Sequence, residues 1–447
     1  MASRRVVITG MGWVTPLGAD LETVWARLLA GDSGIGPVTR YQAATFPTNF
    51  AAEVRDFKLT DHVEDSGGYY TRAGLSTQYA LAAATKAWKQ AGLDTASQSG
   101  LADPSEFGVY LGAGEGSLDF ENYVATHLAS WNKETKTVDG KAWAAHAEKA
   151  MSAVREIEQE PNMTVSYVAS ALGCMGPAFN CMTACAASTQ AIGEAFEIIR
   201  RGDAPGMLAG GAHTMIHPLG MTGFIRLTAM SQRRDTPKTA ARPFDQTRDG
   251  FVMGEGAGIL VLEELEHAKR RGANILAEVV GYGSSADAFR ITDIQTEGKG
   301  AIAAMSQALR QAGINPREPG ADGRPPVHYI SAHGTGTKEN DKIETLAVKG
   351  VFGSMASKVP FSSIKSMMGH LIQAAGAVEL ITCVLAIQTG KVPPTMNLQT
   401  PDPDCDLDYV PNKSRDLNGA GGVDVCFSNS FGFGGQNDTV VVKRYAP

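Results

Sequence analysis

An α/β fold built from two similar halves is what this chain predicts, on three observations. Short apolar strands alternate with helices along the whole length, and one helix–loop–strand unit occurs twice in the same order. At 447 residues the chain also exceeds the roughly 250–300 residues at which a single core divides. Strands alternating with helices imply mostly parallel sheets covered by helices. Repetition at so long a spacing implies a duplicated domain rather than a solenoid. The halves read as 1–265 and 266–447.

Taken in order, Val6-Val7-Ile8-Thr9-Gly10 reads as a strand and turn. The alanine-rich segment Tyr79 to Leu93 reads as a helix closing on Gln-Ala-Gly, followed by a strand from Val109 to the small-residue turn Gly112-Ala113-Gly114. An atypical segment, 119–162, interrupts the first half with Trp131, charges from Lys133 to Lys141 and a helical run from Trp143 to Gln159. It reads as a solvated surface helix or as a lid or dimer arm. Thr183-Ala184-Cys185-Ala186-Ala187-Ser188 then opens a helix over 186–201, with Ile192, Phe196 and Ile199 on one face and Gly202-Asp203 at its end. Ile259-Leu260-Val261-Leu262 is a buried strand. The second copy of the unit is the helix Ala301 to Ile314, again closing on Gln-Ala-Gly, and the strand Tyr329 to Gly334. A helix over 371–388, stopped by Gly390, answers the helix after Cys185.

The bulk numbers exclude several classes. With 43% hydrophobic and 19% charged residues, the chain is globular rather than disordered. A net charge of -7 argues against nucleic acid as the main ligand, although a local basic patch can serve an acidic partner. Six cysteines with no CxxC and no paired Cys/His spacing of a zinc site fit a reducing compartment. The start Met1-Ala2-Ser3-Arg4-Arg5 runs into a strand rather than a signal peptide, and no segment reads as a membrane span. The expectation is a cytoplasmic protein.

Chemistry concentrates at strand ends and helix starts, where sites of α/β sheets lie. A cysteine is ordinarily a small buried hydrophobe. Cys185 stands instead at a helix start, where N–H groups and the helix dipole can draw a thiol below its free pKa of about 8.5. Ser331-Ala332-His333-Gly334-Thr335-Gly336-Thr337 places a histidine on a strand-to-loop turn with two hydroxyls. Lys365-Ser366-Met367-Met368-Gly369-His370 puts a second before the helix that carries Glu379. Two histidines, a lysine and a cysteine at equivalent ends of two halves are hard to explain by packing. Asn429-Ser430-Phe431-Gly432-Phe433-Gly434-Gly435 can present backbone N–H groups and aromatics that gate an apolar tunnel.

With these motifs in order from Val7-Ile8-Thr9-Gly10-Met11-Gly12 through Arg242-Pro243-Phe244-Asp245, Asp249-Gly250-Phe251-Val252-Met253-Gly254-Glu255-Gly256 and Pro393-Pro394-Thr395 to Asn437, the chain resembles a β-ketoacyl-acyl carrier protein synthase of the elongating type, in the thiolase superfamily. The resemblance covers essentially the whole chain. It implies a thiolase-like αβαβα five-layered fold and a homodimer. No bound cofactor is implied, because the substrates travel on the phosphopantetheine of acyl carrier protein, the expected partner. Cys185 would accept the acyl group, with the backbone N–H groups of Cys185 and Phe433 as the oxyanion hole. His333 and His370 would donate to the malonyl thioester oxygen during decarboxylation. Lys365 and Glu379 would shape the field and hold the region of the second histidine. Thr335 and Thr337 would contact phosphopantetheine, Phe431 would line the site, and Phe433 would gate it.

Departures from the family bear on substrate. Glu115 stands in the Gly-rich turn, Gly112-Ala113-Gly114-Glu115-Gly116, where relatives carry an apolar residue lining the acyl pocket. A carboxylate there either turns outward or makes the pocket polar or short. Ala187 stands where many relatives carry a hydroxyl. Cations before the Tyr79 helix are sparse, with Arg72 among Asp61, Glu64 and Asp65, so Arg226, Arg233, Arg234 and Lys238 form an alternative docking patch. Competing readings are a specialised polyketide or secondary-lipid ketosynthase, a degradative thiolase, which His370 disfavours, and a noncatalytic chain-length partner, which Cys185 disfavours. A nucleotide-binding oxidoreductase rests on the glycine run alone.

Overall fold

The computed structural model describes residues 4–114, 119–291, 294–320 and 322–447. Ten strands make one mixed sheet: β1 Val6–Val14, β2 Gly108–Gly112, β3 Ala178–Cys181, β4 Gly206–His213, β5 Gly256–Glu264, β6 Ala277–Ala286, β7 Tyr329–Ser331, β8 Phe361–Ser362, β9 Val425–Gly432 and β10 Gln436–Lys443. From the central seam between β1 and β6, one side runs β1-β5-β4-β2-β3 and the other β6-β10-β9-β7-β8. On each side the first two pairings are antiparallel and the last two parallel. The seam is antiparallel as well, with Val6 opposite Val279 and Ile8 opposite Ala277.

The sheet is thus not mostly parallel, contrary to the sequence expectation. Only strands followed by a crossover can be parallel neighbours. β9 and β10, separated by the turn 433–435, have to pair antiparallel. The first strand also runs past Gly10, which read as a turn. A Cβ on Gly10 or Gly12 would overlap the backbone of the helix laid across them, so both are close-approach glycines within the strand.

The main helices are α1 Leu75–Gln90, α2 Ala187–Arg201, α3 Lys299–Gln311, α4 Lys338–Phe352 and α5 Ala375–Thr389. α1 covers β1 and β5 on one outer face, while α3, backed by α4, covers β6 and β10 on the other. α2 packs against β2 and β4 and also against β6 and β10; α5 packs against β7 and β9 and also against β4 and β5. These two helices form a middle layer between the half-sheets, completing the order αβαβα. Each ends on a left-handed glycine, Gly202 and Gly390. The stretch Ile372–Thr389 is long and apolar enough to cross a bilayer by length and composition, which corrects the expectation that no segment is. It is 89% buried, and its hydrophobicity belongs to a helix surrounded by protein.

Within 119–162, the helix Phe120–Ala129 packs against the helix Gly140–Ala150, a hairpin pairs Trp131–Asn132 with Thr137–Val138, and a short helix Ala153–Ile157 follows. The run from Trp143 to Gln159 is therefore two helices, broken where Met151 and Ser152 turn extended. Buried Asp119 pairs with Arg155 at 2.9 Å and ties the two ends of this segment together. Leu128, Trp131, Val138, Val154 and Ile157 remain exposed.

Candidate active site

A strained turn presents Cys185. Ala184 has φ of 47°, a region that costs a non-glycine residue about 1–3 kcal/mol, and Cys185 is the centre of the 3-10 turn Ala184–Ala186 that leads into α2. Small residues close in around it. A Cβ on Gly112 would come within 2.6 Å of the backbone at Ala187 and Ser188. The thiol is 5% exposed, and its backbone surroundings include the N–H groups of Phe433 and of Cys185 itself, both of which favour the thiolate. Burial nevertheless dominates. It pushes the thiol up to about 11, against the opposing pull of Lys365 and those N–H groups. The expectation of a depressed pKa at the helix start is corrected on this ground: desolvation outweighs the helix end once the sulfur leaves water.

Two imidazoles meet the sulfur. His370 Nε2 lies 3.0 Å from Cys185 Sγ, while its Nδ1 accepts the Ile372 N–H at 3.2 Å. His333 Nδ1 lies 3.5 Å from the Lys365 ammonium, which also donates to the His333 carbonyl at 2.7 Å. Both Nδ1 atoms face donors, so both rings carry their proton on Nε2. The rings stand almost perpendicular, with centroids 5.4 Å apart. Burial first, and then the charge of Lys365, hold both well below the usual histidine pKa, so both are neutral. Phe251 edges against His370 and Phe431 against His333.

One donor atom from each of Cys185, His333 and His370 lies within 4.8 Å of the others, a spacing a metal ion would accept. The protonation pattern opposes it. Nε2–H groups, not lone pairs, point into the shared space, and the ammonium of Lys365 stands behind them. The set is built to meet negative charge.

Lys365 pairs with Glu379 in the core. Its other contacts go to His333 rather than to His370, whose surroundings the sequence had assigned to it. Burial pushes the Glu379 carboxyl up to about 7, against the pull of Lys365. Sequence reasoning missed Glu344, which accepts the N–H groups of His333 and Gly334, each at 2.8 Å, and the Asn429 amide at 3.2 Å. Its one signal is an acidic residue at an otherwise buried position of α4.

In front of the sulfur and the two rings opens a narrow cavity of about 50 Å³, partly open to solvent, with Thr335, Thr337, Asn340, Phe431 and Phe433 in its wall. Thr335 and Thr337 share a hydrogen bond at 3.0 Å, and Thr337 also caps α4 through the Asn340 N–H. Glu115 lies outside the described residues, so its direction is not part of this geometry. Behind Cys185 the packing is apolar, through Ile216, Met221, Met230, Phe251, Met253 and Ile372. Among the basic residues expected to form a patch, Arg226, Arg234 and Lys238 are exposed, whereas Arg233 is held by Asp249 at 3.3 Å.

Comparison with known proteins identifies the family. Residues 3–268 match the family described as beta-ketoacyl synthase, N-terminal domain, and residues 276–399 match its C-terminal domain. The chain is 40% identical over 446 residues to the 3-oxoacyl-[acyl-carrier-protein] synthase 2 of Coxiella burnetii, covering 99% of each. It is 41% identical over 443 residues to the protein of the same name from Staphylococcus aureus (strain COL), again with 99% of each covered. A solved type II polyketide synthase acyl-carrier protein in complex with its ketosynthase, bound to the hexaketide, is similar with a TM-score of 0.83 and 33% identity, over 99% of this chain and 100% of that one. Two matched domains spanning most of the chain, and relatives alike from end to end, place it in the β-ketoacyl synthase family.

Proposed function

We infer that this chain catalyses the decarboxylative condensation of an acyl thioester with malonyl-acyl carrier protein, giving a 3-oxoacyl-acyl carrier protein. The observation that carries the reading is the convergence of Cys185 Sγ with two neutral imidazoles that both present Nε2–H. In the first half-reaction the Cys185 sulfur attacks the acyl thioester, and its proton leaves with the carrier's phosphopantetheine thiol. The N–H groups of Cys185 and Phe433 face the oxygen on which negative charge collects. In the second, malonyl thioester loses carbon dioxide, and the electron pair moves onto the thioester oxygen between His333 and His370. The resulting enolate carbon attacks the acyl-cysteine, a carbon–carbon bond forms as the carbon–sulfur bond breaks, and the departing Cys185 thiolate takes a proton from solvent at the open cavity. Lys365 and Glu379 hold the His333 side of this pair, and Thr335 and Thr337 stand where the phosphopantetheine arm passes, with Phe431 and Phe433 shaping its inner end.

Exposed Arg226, Arg234 and Lys238 support docking of an acidic carrier protein near that patch. Six free thiols support a reducing, cytoplasmic setting. A homodimer is supported by β3, a sheet edge with exposed Met175, Phe179 and Met182 in and beside it. The central test is intact-mass analysis after incubation with acyl-carrier-protein thioesters. The wild-type chain gains one acyl group, and Cys185→Ala gains none. Acylation that persists in the variant, or none by any donor in the wild type, ends the acyl-cysteine reading.

A further inference from the structure

The two middle helices begin alike. Ala184, at φ 47°, precedes Cys185 before α2, and Ile372, at φ 43°, precedes Gln373 before α5. Gln373 therefore occupies in the second half the position that Cys185 occupies in the first. It is buried, with its amide against the turn 112–114: a Cβ on Gly114 would lie 2.6 Å from Gln373 Nε2. Its Oε1 lies 3.4 Å from Nδ1 of His213, the last residue of β4. An amide oxygen only accepts, so the His213 proton sits on Nδ1 and a lone pair stands at Nε2. That Nε2 is fully buried and has no hydrogen-bond partner among the described residues. Burial pulls the ring down to about 4, so it is neutral. An unpaired buried acceptor costs about 1–3 kcal/mol, a cost that a bound donor removes.

Neither residue lines the cavity in front of the sulfur; the pair adjoins the apolar packing behind Cys185. Ile372 and Ile216 belong to the cluster packed around Cys185; Gln373 is the next residue after the first, and His213 lies on the strand end that leads to the second. His213 is also close enough to His370 to act on it electrostatically. We propose that His213, positioned by Gln373, is a specificity-determining residue that accepts a hydrogen bond from a hydroxyl group on the acyl chain carried by Cys185. The proposal rests on the acyl-cysteine reading. A hydroxyacyl thioester pairs Nε2, whereas a saturated chain of the same length leaves it bare.

The test is competitive loading. The protein is given equimolar saturated and hydroxylated acyl-carrier-protein thioesters of one length, with the hydroxyl moved along the chain, and the ratio of the two acyl-enzymes is read by intact mass. Wild type favours one hydroxyl position by about tenfold, the worth of one hydrogen bond. His213→Phe brings that ratio near one, and His213→Gln, which keeps an acceptor, retains a preference. Because both products come from the same sample, partial misfolding does not change the ratio. For Gln373, the readout is the 15N chemical shifts of the His213 ring: Gln373→Leu releases the proton from Nδ1, whereas a packing role alone leaves the shifts in place. A wild-type ratio near one at every position, or the same ratio in His213→Phe, overturns the proposal and leaves Nε2 to a buried water only. If neither thioester loads wild type at all, the acyl-cysteine reading falls and this inference with it; loading without preference removes this inference alone.

Discussion

At the scale of single residues, proton placement governs what the site can do. A histidine beside a cysteine is commonly a base, but the Ile372 N–H on His370 Nδ1 makes this one a donor. The Lys365 ammonium has the same effect on His333. Removing either ring therefore harms the step in which charge appears on the malonyl oxygen. His333→Ala or His370→Ala should slow malonyl decarboxylation by about 10²–10³-fold, the usual cost of a lost oxyanion donor, and acyl transfer to Cys185 much less. Both half-reactions are measurable separately, by carbon dioxide release and by mass. Equal loss of both, with the fold intact, contradicts this division. Cys185 and His370 stood out in the sequence because each precedes a helix, and His333 because it sits on a strand-to-loop turn among glycines and hydroxyls. The sulfur's pKa was not legible, since its burial depends on groups from the far half of the chain, His370 and Ile372 among them. Nor was Glu344, whose work is to hold the backbone of His333.

Among elements, the crossing of α2 and α5 sets the geometry. The Ala377 N–H donates to Ser188 Oγ at 3.0 Å, and Thr189 Oγ1 bonds Ser430 Oγ at 2.7 Å, so the starts of both helices and β9 are tied together beside Cys185. Gly376 permits that approach, because a Cβ there would overlap Thr189 Oγ1. Gly376→Ala should lower stability by about 1–3 kcal/mol through overpacking, read as a drop in urea midpoint. Adding Thr189→Ala should recover part of the loss, since the two substitutions act on one contact. Simple additivity would place the strain elsewhere. Helix ends at Gly202 and Gly390 were readable because glycine there relieves a left-handed residue. The break at Met151 and Ser152 carries no proline or glycine and gave no such sign.

For the whole molecule, duplication was legible from two Gln-Ala-Gly helix ends, and the strand order repeats it about the β1/β6 seam. Antiparallel joints were not legible, because apart from the β9–β10 hairpin they pair strands that lie far apart in the chain. The exposed edge at β3 leads to a prediction at this scale. Phe179→Asp should convert a dimer to a monomer in sedimentation equilibrium at micromolar concentration, by placing a charge on the apolar edge. A wild-type chain that sediments as a monomer removes the homodimer.

The paired starts of α2 and α5 have a consequence for how such a chain can change over time. On the acyl-cysteine reading, one of the two positions, Cys185, is bound to the chemistry, and almost any replacement ends it. Its counterpart, Gln373, carries no bond-making duty. A lineage can therefore alter the second position, and with it the company that an acyl chain keeps, without touching the first. Reaction and preference can then evolve on separate residues of one repeated design.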